Sequence, residues 1–262
     1  MQINSGMPAL LVFKSLQKTG EAQEQQFANQ PMVKREVEYF LKKAKEVESV
    51  DDFFKDPRLL KVALGAYGLE GDANYTARTK AIMTEDPDSK DSLVNKLAEP
   101  RYKEIAKAFD FFKSGTANLQ SDEFLQGVAD KYLTNEFEKS LGGGNDALRE
   151  AAYFRRKVAE VASEDDLYKL MGDKVLRSVI TDTLRIPKEI VNQGIERQAK
   201  VIGAKVKPED FKDPEFVDKF LERFLAQKDA EAQMSGMGGI NMNTPGALAL
   251  QLLQGGNLNI LV

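Results

Sequence analysis

The chain of 262 residues contains neither cysteine nor histidine. The lack of cysteine excludes disulfide bonds and thiolate chemistry, and it is compatible with any cellular compartment. The lack of histidine removes the commonest general base and the commonest metal ligand. No apolar run approaches the roughly 20 residues that span a membrane. We therefore expect no catalytic residue, no metal, no cofactor and no membrane insertion.

Charged residues make up 30% of the chain, but both of its ends lack them. The net charge of −4 gives no bulk attraction to nucleic acid, so no nucleic-acid partner is expected. Residues 1–13 and 232–262 carry no charge, and the second of these segments contains six glycines. The first segment lacks the basic region and the small-residue cleavage site of a Sec signal peptide, so we predict that none is present.

The apolar residues of the two uncharged ends are the best candidates for binding a partner protein. Exposed apolar segments usually mark contacts, although these could instead fold back on the body or stay disordered. Within the tail, residues 247–253 could form a short helix and residues 257–262 a short strand. The candidate partner-binding residues are Leu10, Leu11, Phe13, Leu248, Leu250, Leu252, Leu253, Leu258, Ile260, Leu261 and Val262.

Between the ends, the apolar residues recur at helical spacing, and no alternating strand of useful length is present. The sequence therefore predicts an all-α fold, a compact multi-helix body with short connections. Pro57, Pro100, Pro187 and Pro214 stand where helices are expected to begin. In particular, Pro187 is predicted to open a helix that continues through Ile202.

Part of the helical region occurs twice. Residues 36–54 and 150–168 are identical at nine of nineteen positions, at an offset of 114 residues. We interpret this as an internal duplication, in which residues 36–48 and 150–162 superpose and Phe40 and Phe154 are both buried. The predicted division is an N-terminal segment 1–30, a first helical repeat 31–140, a second repeat 145–230 packed on the first, and a tail 231–262.

Two glycine-rich or acidic stretches resemble ligand-binding motifs and fail their requirements. Asp86 and Asp88 begin like a calcium loop, but Asp91 replaces the required glycine and Leu97 the required glutamate. Gly142–Gly144 follows a helix without the Lys-Ser/Thr of a phosphate loop. A helix stop, with Asn145 capping the next helix, explains the second stretch.

The remaining charged clusters have structural interpretations. The pairs Asp51/Asp52 and Asp165/Asp166 follow helix ends, and we expect them to cap the next short helices. The basic run 155–157 is expected to be a solvated helix face, with one arginine paired into the core. No arrangement of Lys, Asp or Glu points to catalysis.

Several strings resemble domain-of-unknown-function family 1217. They are Leu97–Phe111 (LAEPRYKEIAKAFDF), Ala66–Leu69 (AYGL), Asn145–Lys157 (NDALREAAYFRRK), Ile195–Ala199 (IERQA), Asp213-Pro214 and Arg223-Phe224. The resemblance runs from about residue 31 to residue 228. It does not extend to the two apolar ends.

That family is similar to proteins encoded among flagellar genes in alphaproteobacteria. The resemblance implies a non-enzymatic structural or assembly protein of the bacterial flagellum, located in the flagellum or, as an assembly factor, in the cytoplasm. Its partners would be flagellar components or copies of itself, bound through the helical body and the apolar ends. The alternative function is that of a cytoplasmic regulator or export chaperone with a helix-binding groove. A hydrolase is the least favoured of the three functions.

Overall fold

The computed structural model describes residues 7–97, 99–143, 145–162 and 167–238, and these residues contain helices and no β-strand. The predicted all-α fold is confirmed. The α-helices are α1 Ala9–Ala28, α2 Pro31–Lys43, α3 Val50–Lys55, α4 Pro57–Ala66, α5 Thr76–Thr84, α6 Leu93–Lys96, α7 Arg101–Phe109, α8 Phe111–Ser114, α9 Asp122–Leu141, α10 Asp146–Ala162, α11 Leu167–Gly172, α12 Lys174–Thr183, α13 Ile195–Gly203 and α14 Pro214–Gly238. Short 3-10 helices cover Ala44–Glu46, Glu70–Asp72, Ala117–Gln120, Lys188–Asn192 and Pro208–Lys212.

Most helix starts follow the local sequence. Pro57 and Pro214 are the first residues of α4 and α14, where the missing N–H of proline costs no hydrogen bond. Pro100 immediately precedes α7. The Asn145 side chain accepts a hydrogen bond from the N–H of Ala147 at 2.9 Å, which confirms the predicted cap of α10.

The helix predicted from Pro187 to Ile202 is divided in two, so that prediction was wrong. A 3-10 helix, Lys188–Asn192, follows Pro187, and α13 begins only after Gly194. The buried Gln198 donates from its amide to the carbonyl of Gln193 at 2.7 Å. A side chain of α13 thus holds the end of the preceding 3-10 turn, and this replaces the hydrogen bonds of a continuous helix.

The cap of α3 also differs from the expectation. Ser49, and not the acidic pair, accepts a hydrogen bond from the N–H of Asp52 at 3.2 Å. Asp51 lies in the first turn and pairs with Lys80 at 2.7 Å. Both carboxylates still lie at the positive end of the helix. The second pair, Asp165/Asp166, lies outside the described residues.

The helices enclose two hydrophobic cores. The first core runs from Phe40 to Tyr132 in the chain and is built around α2, α4, α7 and α9. The second core runs from Phe137 to Leu225 and is built around α10, α12, α13 and α14. The second core also contains four residues from α1, namely Ala9, Val12, Phe13 and Phe27.

Helix α9 joins the two cores. Its N-terminal half gives Leu125, Val128 and Tyr132 to the first core, and its last turns give Phe137 and Leu141 to the second. The ring of Tyr132 lies so close to Gly65 of α4 that a Cβ there would meet it at 2.8 Å. Glycine at this position lets α4 and α9 approach closely.

The two cores use the same local arrangement of a tyrosine and a capping aspartate. Asp56 caps α4 and accepts a hydrogen bond from the Tyr39 hydroxyl at 2.7 Å. Asp173 caps α12 and accepts one from the Tyr153 hydroxyl at 2.6 Å. The next residues, Phe40 and Phe154, are both fully buried, as predicted. The superposition of residues 36–48 on 150–162, and the duplication itself, stay predictions.

The predicted division of the chain into four parts stays a prediction. The segment 1–30 contains α1, whose buried residues belong to the second core. Helix α14 continues to Gly238, past the predicted start of the tail at residue 231.

Candidate partner-binding site

The three N-terminal candidates differ in what they contact. Phe13 is buried in the second core, and Leu10 is half-buried against it. Leu11 points away and is 54% exposed. The first turn of α1 therefore folds back on the chain's own body through two of these residues and leaves Leu11 free to meet a partner.

A residue from the other end of the chain caps this first turn. The N–H groups of Ala9 and Leu10 donate to the two carboxylate oxygens of Asp229 in α14, at 2.8 and 3.0 Å. Pro8, at the position before α1, provides no side-chain cap of its own. Lys14 pairs with Glu222 at 3.3 Å farther along the two antiparallel helices. The carboxylate satisfies free N–H groups and favours the positive end of α1.

The eight C-terminal candidates, Leu248 to Val262, lie outside the described residues. Helix α14 leads toward them, because it continues for nine residues past Asp229. At 1.5 Å per residue this extension is about 13 Å long. Its residues Ala230–Met234 are all exposed. Both uncharged segments are therefore attached at the same end of the α1–α14 pair, and we call this end the tip.

A groove of about 810 Å³ lies under the middle of α1. Phe13 and Phe27 anchor the two ends of the helix in the second core, and the ring of Phe27 lies 5.8 Å from that of Phe137. Between these anchors α1 borders the open groove, and the opposite wall includes Ala152 and Ala159 of α10. Small residues on that wall leave room for a polypeptide segment.

A second, polar cleft of about 560 Å³ lies between the two cores. Three of the strings that carry the family resemblance meet in it. The residues that line it are Ala66, Tyr67, Arg101, Glu104, Ala108, Asp130, Lys131, Thr134, Asn135, Tyr153, Arg156, Lys157 and Glu160. These residues come from α4, α7, α9 and α10, so the cleft is where the two halves of the chain are joined.

Arg156 and Asn135 form the central connection of this cleft. Arg156 donates to both carboxylate oxygens of Glu138, at 2.7 and 3.0 Å, and to the amide oxygen of Asn135 at 3.0 Å. Asn135 in turn donates to the carbonyls of Gly65 and Ala66 at the end of α4. Burial would lower the pKa of Arg156, but the hydrogen bonds and charge of Glu138 outweigh it and raise the pKa. This arginine is the one from the basic run 155–157 that pairs into the core, as expected.

Lys157 links the two halves directly. It pairs with Glu104 of α7 at 3.2 Å and with Glu160 of its own helix at 2.9 Å. Burial would lower the pKa of the ammonium group, but these two carboxylates outweigh it and raise the pKa. Lys157 therefore stays charged at neutral pH and contributes an ion pair between α7 and α10.

Arg101 connects α7 to the turn after α4. It donates to both oxygens of Glu99, at 2.8 and 2.9 Å, and to the carbonyl of Gly68 at 2.8 Å. Burial would raise the pKa of Glu99, but the hydrogen bonds and charge of Arg101 outweigh it and lower the pKa. Gly68 has φ +67°, and a Cβ there would meet the guanidinium at 2.9 Å. The positive φ is what requires glycine at this position.

Two tyrosines complete the cleft. Burial, reinforced by Glu104, raises the pKa of Tyr67, and burial, reinforced by Asp173, raises the pKa of Tyr153. Both phenols are therefore neutral at physiological pH. The basic side chains of Arg101, Arg156 and Lys157 pair with acidic side chains of the same chain, so the cleft joins the two cores through polar contacts.

Sequence reasoning missed Asp229 and most of this cleft. Asp229 lies in the middle of a helix and has no local pattern that marks it as a cap for a helix 220 residues away. The cleft could have been suspected, because the strings that carry the family resemblance contribute Tyr67, Arg101 and Arg156 to it.

The described ranges contain neither a candidate metal site nor a candidate membrane-spanning helix. No group of three or more acidic side chains there is arranged to hold a metal ion. None of the helices in those ranges is both long enough and apolar enough to cross a bilayer.

The chain is similar to proteins whose function has not been determined. The family model described as "Protein of unknown function (DUF1217)" matches residues 66–217, a range that includes every residue lining the polar cleft. The crystal structure of protein AGR_C_984 from Agrobacterium tumefaciens matches with a TM-score of 0.72 and 30% sequence identity. That match covers 86% of this chain and 96% of the other. No curated protein matches the chain significantly.

Proposed function

We propose that this chain, which belongs to the DUF1217 family, is a non-enzymatic structural or assembly protein of the bacterial flagellum. The flagellar part of the proposal rests on the resemblance of the family to proteins encoded among flagellar genes. The protein would bind other flagellar components, or copies of itself, through its helical body and its apolar ends.

The observation that carries the binding role is the convergence of the two ends at the tip. Asp229 holds the start of α1 against α14. The start of α1 and the extension of α14 beyond Asp229 therefore lie at the same end of this helix pair. Two apolar segments presented at one place can form a single continuous contact with a partner, which is what an assembling subunit requires.

The experiment that tests this proposal follows the full-length protein in a flagellated strain that encodes it. Cells are separated into sheared filaments, hook–basal bodies and cytosol, and the protein is detected in each fraction. We expect it in a flagellar fraction, and we expect a deletion strain to lose swimming. A protein confined to the cytosol, in a strain that swims normally without it, would contradict the proposal.

The apolar tail is tested in the same strain. Replacing Leu248, Leu250, Leu252 and Leu253 by serine is expected to abolish swimming, because it removes four of the eight apolar tail residues proposed to dock on the partner. The matched control replaces Gln251 and Gln254, which are polar neighbours in the same segment. Circular dichroism of both purified proteins should show unchanged helix content. If the leucine variant swims normally, the leucines of residues 248–253 do not bind the partner.

The groove under α1 supports a second candidate function, a cytoplasmic regulator or export chaperone. With about 810 Å³ the groove has room for part of a helix from a client protein. The fractionation experiment separates the two candidates. A protein that is needed for swimming but stays entirely in the cytosol favours this second function.

A further inference from the structure

Helix α1 is attached to the body of the protein at its two ends. At its start, Ala9, Val12 and Phe13 are buried in the second core. Asp229 of α14 also holds this start, because its carboxylate accepts a hydrogen bond from the N–H of Ala9 at 2.8 Å. At the other end, Phe27 is buried in the same core. Each end of α1 therefore has its own anchor.

The middle of α1, residues 15–26, has few contacts with the body. None of these residues is buried. Within the described residues, one hydrogen bond joins this stretch to the body, and in it the Thr134 hydroxyl donates to the Glu24 carboxylate at 2.7 Å. The stretch also contains Gly20, and glycine is unfavourable inside a helix. The helix in this stretch therefore depends on the two anchored ends.

The two ends differ in how they are attached to the chain. Asn29 and Gln30 are the two residues between α1 and Pro31, the first residue of α2. This short link keeps the end of α1 close to the body even when its contacts break. The start of α1 is held by the buried side chains and by the hydrogen bonds from Asp229. Opening of α1 therefore begins at its start.

We propose that α1 is a strap that opens while the body of the protein stays folded. It detaches at Ala9, loses its helix past Gly20, and remains tethered to α2. The contrast with α10 carries the inference, because α10 has buried residues along its whole length, from Ala147 to Ala162. Segments with few buried apolar contacts open at a lower free energy than the whole molecule. Most of the stability of a protein helix comes from packing, so a detached α1 does not keep its helix.

The strap controls access to the groove under α1. In the closed state α1 forms one wall of this groove of about 810 Å³. When α1 opens, the groove loses that wall, and Phe137 is uncovered because its ring contacts that of Phe27. The groove therefore has a narrow and a wide state. This inference does not depend on the proposed function, since it concerns a movement of the chain and not the identity of a partner.

The first experiment uses the absence of cysteine to compare two buried positions in the full-length protein. Val12→Cys in α1 and Val158→Cys in α10 each introduce a single thiol. Both valines belong to the second core, and they are 3% and 0% exposed. Without denaturant, a thiol reagent should label position 12 at least about tenfold faster, because α1 opens alone. Urea denaturation of both variants corrects the rates for any difference in global stability. Equal corrected rates would overturn the inference.

The second experiment tests whether the opening includes the middle of α1. Gly20 in α1 and Gly127 in α9 both lie inside a helix, and a Cβ at either position would meet nothing within 4 Å. In the Val12→Cys protein, Gly20→Ala should slow the labelling by about four- to fivefold, because alanine stabilises a helix that is lost on opening. Gly127→Ala is the matched control and should leave the rate unchanged, because α9 stays folded.

Two results of the second experiment would count against the strap. Equal slowing by Gly20→Ala and Gly127→Ala would mean that position 12 is labelled through unfolding of the whole protein. No slowing by either change would mean that the first turn of α1 frays while the rest of the helix stays closed.

Discussion

The two cores share one local arrangement of side chains, but they differ in which parts of the chain they are built from. Both pair a tyrosine with a capping aspartate beside a fully buried phenylalanine. The first core is made from one stretch, Phe40 to Tyr132, whereas the second needs α1 from the start of the chain and α14 from near its end. The difference shows that the second core, unlike the first, is physically coupled to the two ends where we expect partners to bind.

Removing the buried phenylalanines tests how similar the cores are. Phe40→Ala and Phe154→Ala should each lower the free energy of unfolding by about 3–5 kcal/mol, because each leaves a cavity. The Phe154 change should be larger by about 0.5–1.5 kcal/mol, since its ring contacts those of Phe211 and Phe220. Urea denaturation of both variants measures this. A negligible loss in either variant would show that the two sites are not equivalent.

The capping aspartates provide a finer comparison. Asp173 is buried and accepts from the N–H groups of Val175 and Leu176 and from Tyr153. Asp173→Ala should cost about 1–3 kcal/mol, because it leaves buried donors without partners. Asp56→Ala, at the more exposed site, should cost about 0.5–2 kcal/mol. Asparagine at each position is the control, since it keeps an acceptor. Equal losses at both positions would mean that burial does not distinguish the two caps.

Asp229 tests the coupling of the second core to the chain ends. Asp229→Ala should lower the free energy of unfolding by about 0.5–2 kcal/mol through loss of the cap on α1. Hydrogen exchange should accelerate at Ala9 and Leu10 and stay unchanged at the buried amides of the first core. Asp229→Asn, which keeps an acceptor, should show a smaller effect. Uniform acceleration across both cores would contradict the idea that the ends are coupled to one core alone.

High pH should affect the first core more than the second. Burial raises the pKa of Tyr67 and Tyr132 in the first core, and burial with the Asp72 hydrogen bond raises that of Tyr102 to about 12. A raised phenol pKa means that stability is complete below about pH 10 and is lost as the pH rises toward the folded-state value. Tyr102→Phe should cost about 0.5–1.5 kcal/mol at neutral pH and make the decline above pH 10 less steep.

Tyrosinate absorbance, followed together with circular dichroism during an alkaline titration, measures that decline. Tyr153→Phe is the control from the second core, where the pKa of Tyr153 is also raised. If Tyr102→Phe leaves the alkaline profile unchanged, buried phenols are not what limits stability at high pH.

Much of the fold follows from local sequence. The helical spacing correctly placed Phe40 and Phe154 inside, and the positions of Pro57, Pro214 and Asn145 correctly marked helix starts. These features depend on a few neighbouring residues, so a single sequence contains the information. The division after Pro187 was missed because the apolar spacing was followed across Gly194, a residue that is unfavourable inside a helix and that directly precedes α13.

The candidate site was less predictable, because it depends on distant contacts. The apolar character of the ends predicted Leu10, Leu11 and Phe13 as one group, yet packing on the second core buries Phe13 and leaves Leu11 exposed. The meeting of the ends at Asp229 depends on how α14 packs across α1. No spacing pattern encodes a contact between residues 220 positions apart.

The cap on α1 also has a consequence for the order of synthesis. A ribosome makes α1 first, and N-terminal parts of a chain generally fold before later parts are finished. The first core is complete in sequence once Tyr132 has emerged, but the carboxylate that caps Ala9 is made 220 residues after it. Throughout translation α1 therefore remains without its cap and without most of the core it packs on. The α1 cap can therefore form only after the chain has been made through to Asp229 in α14.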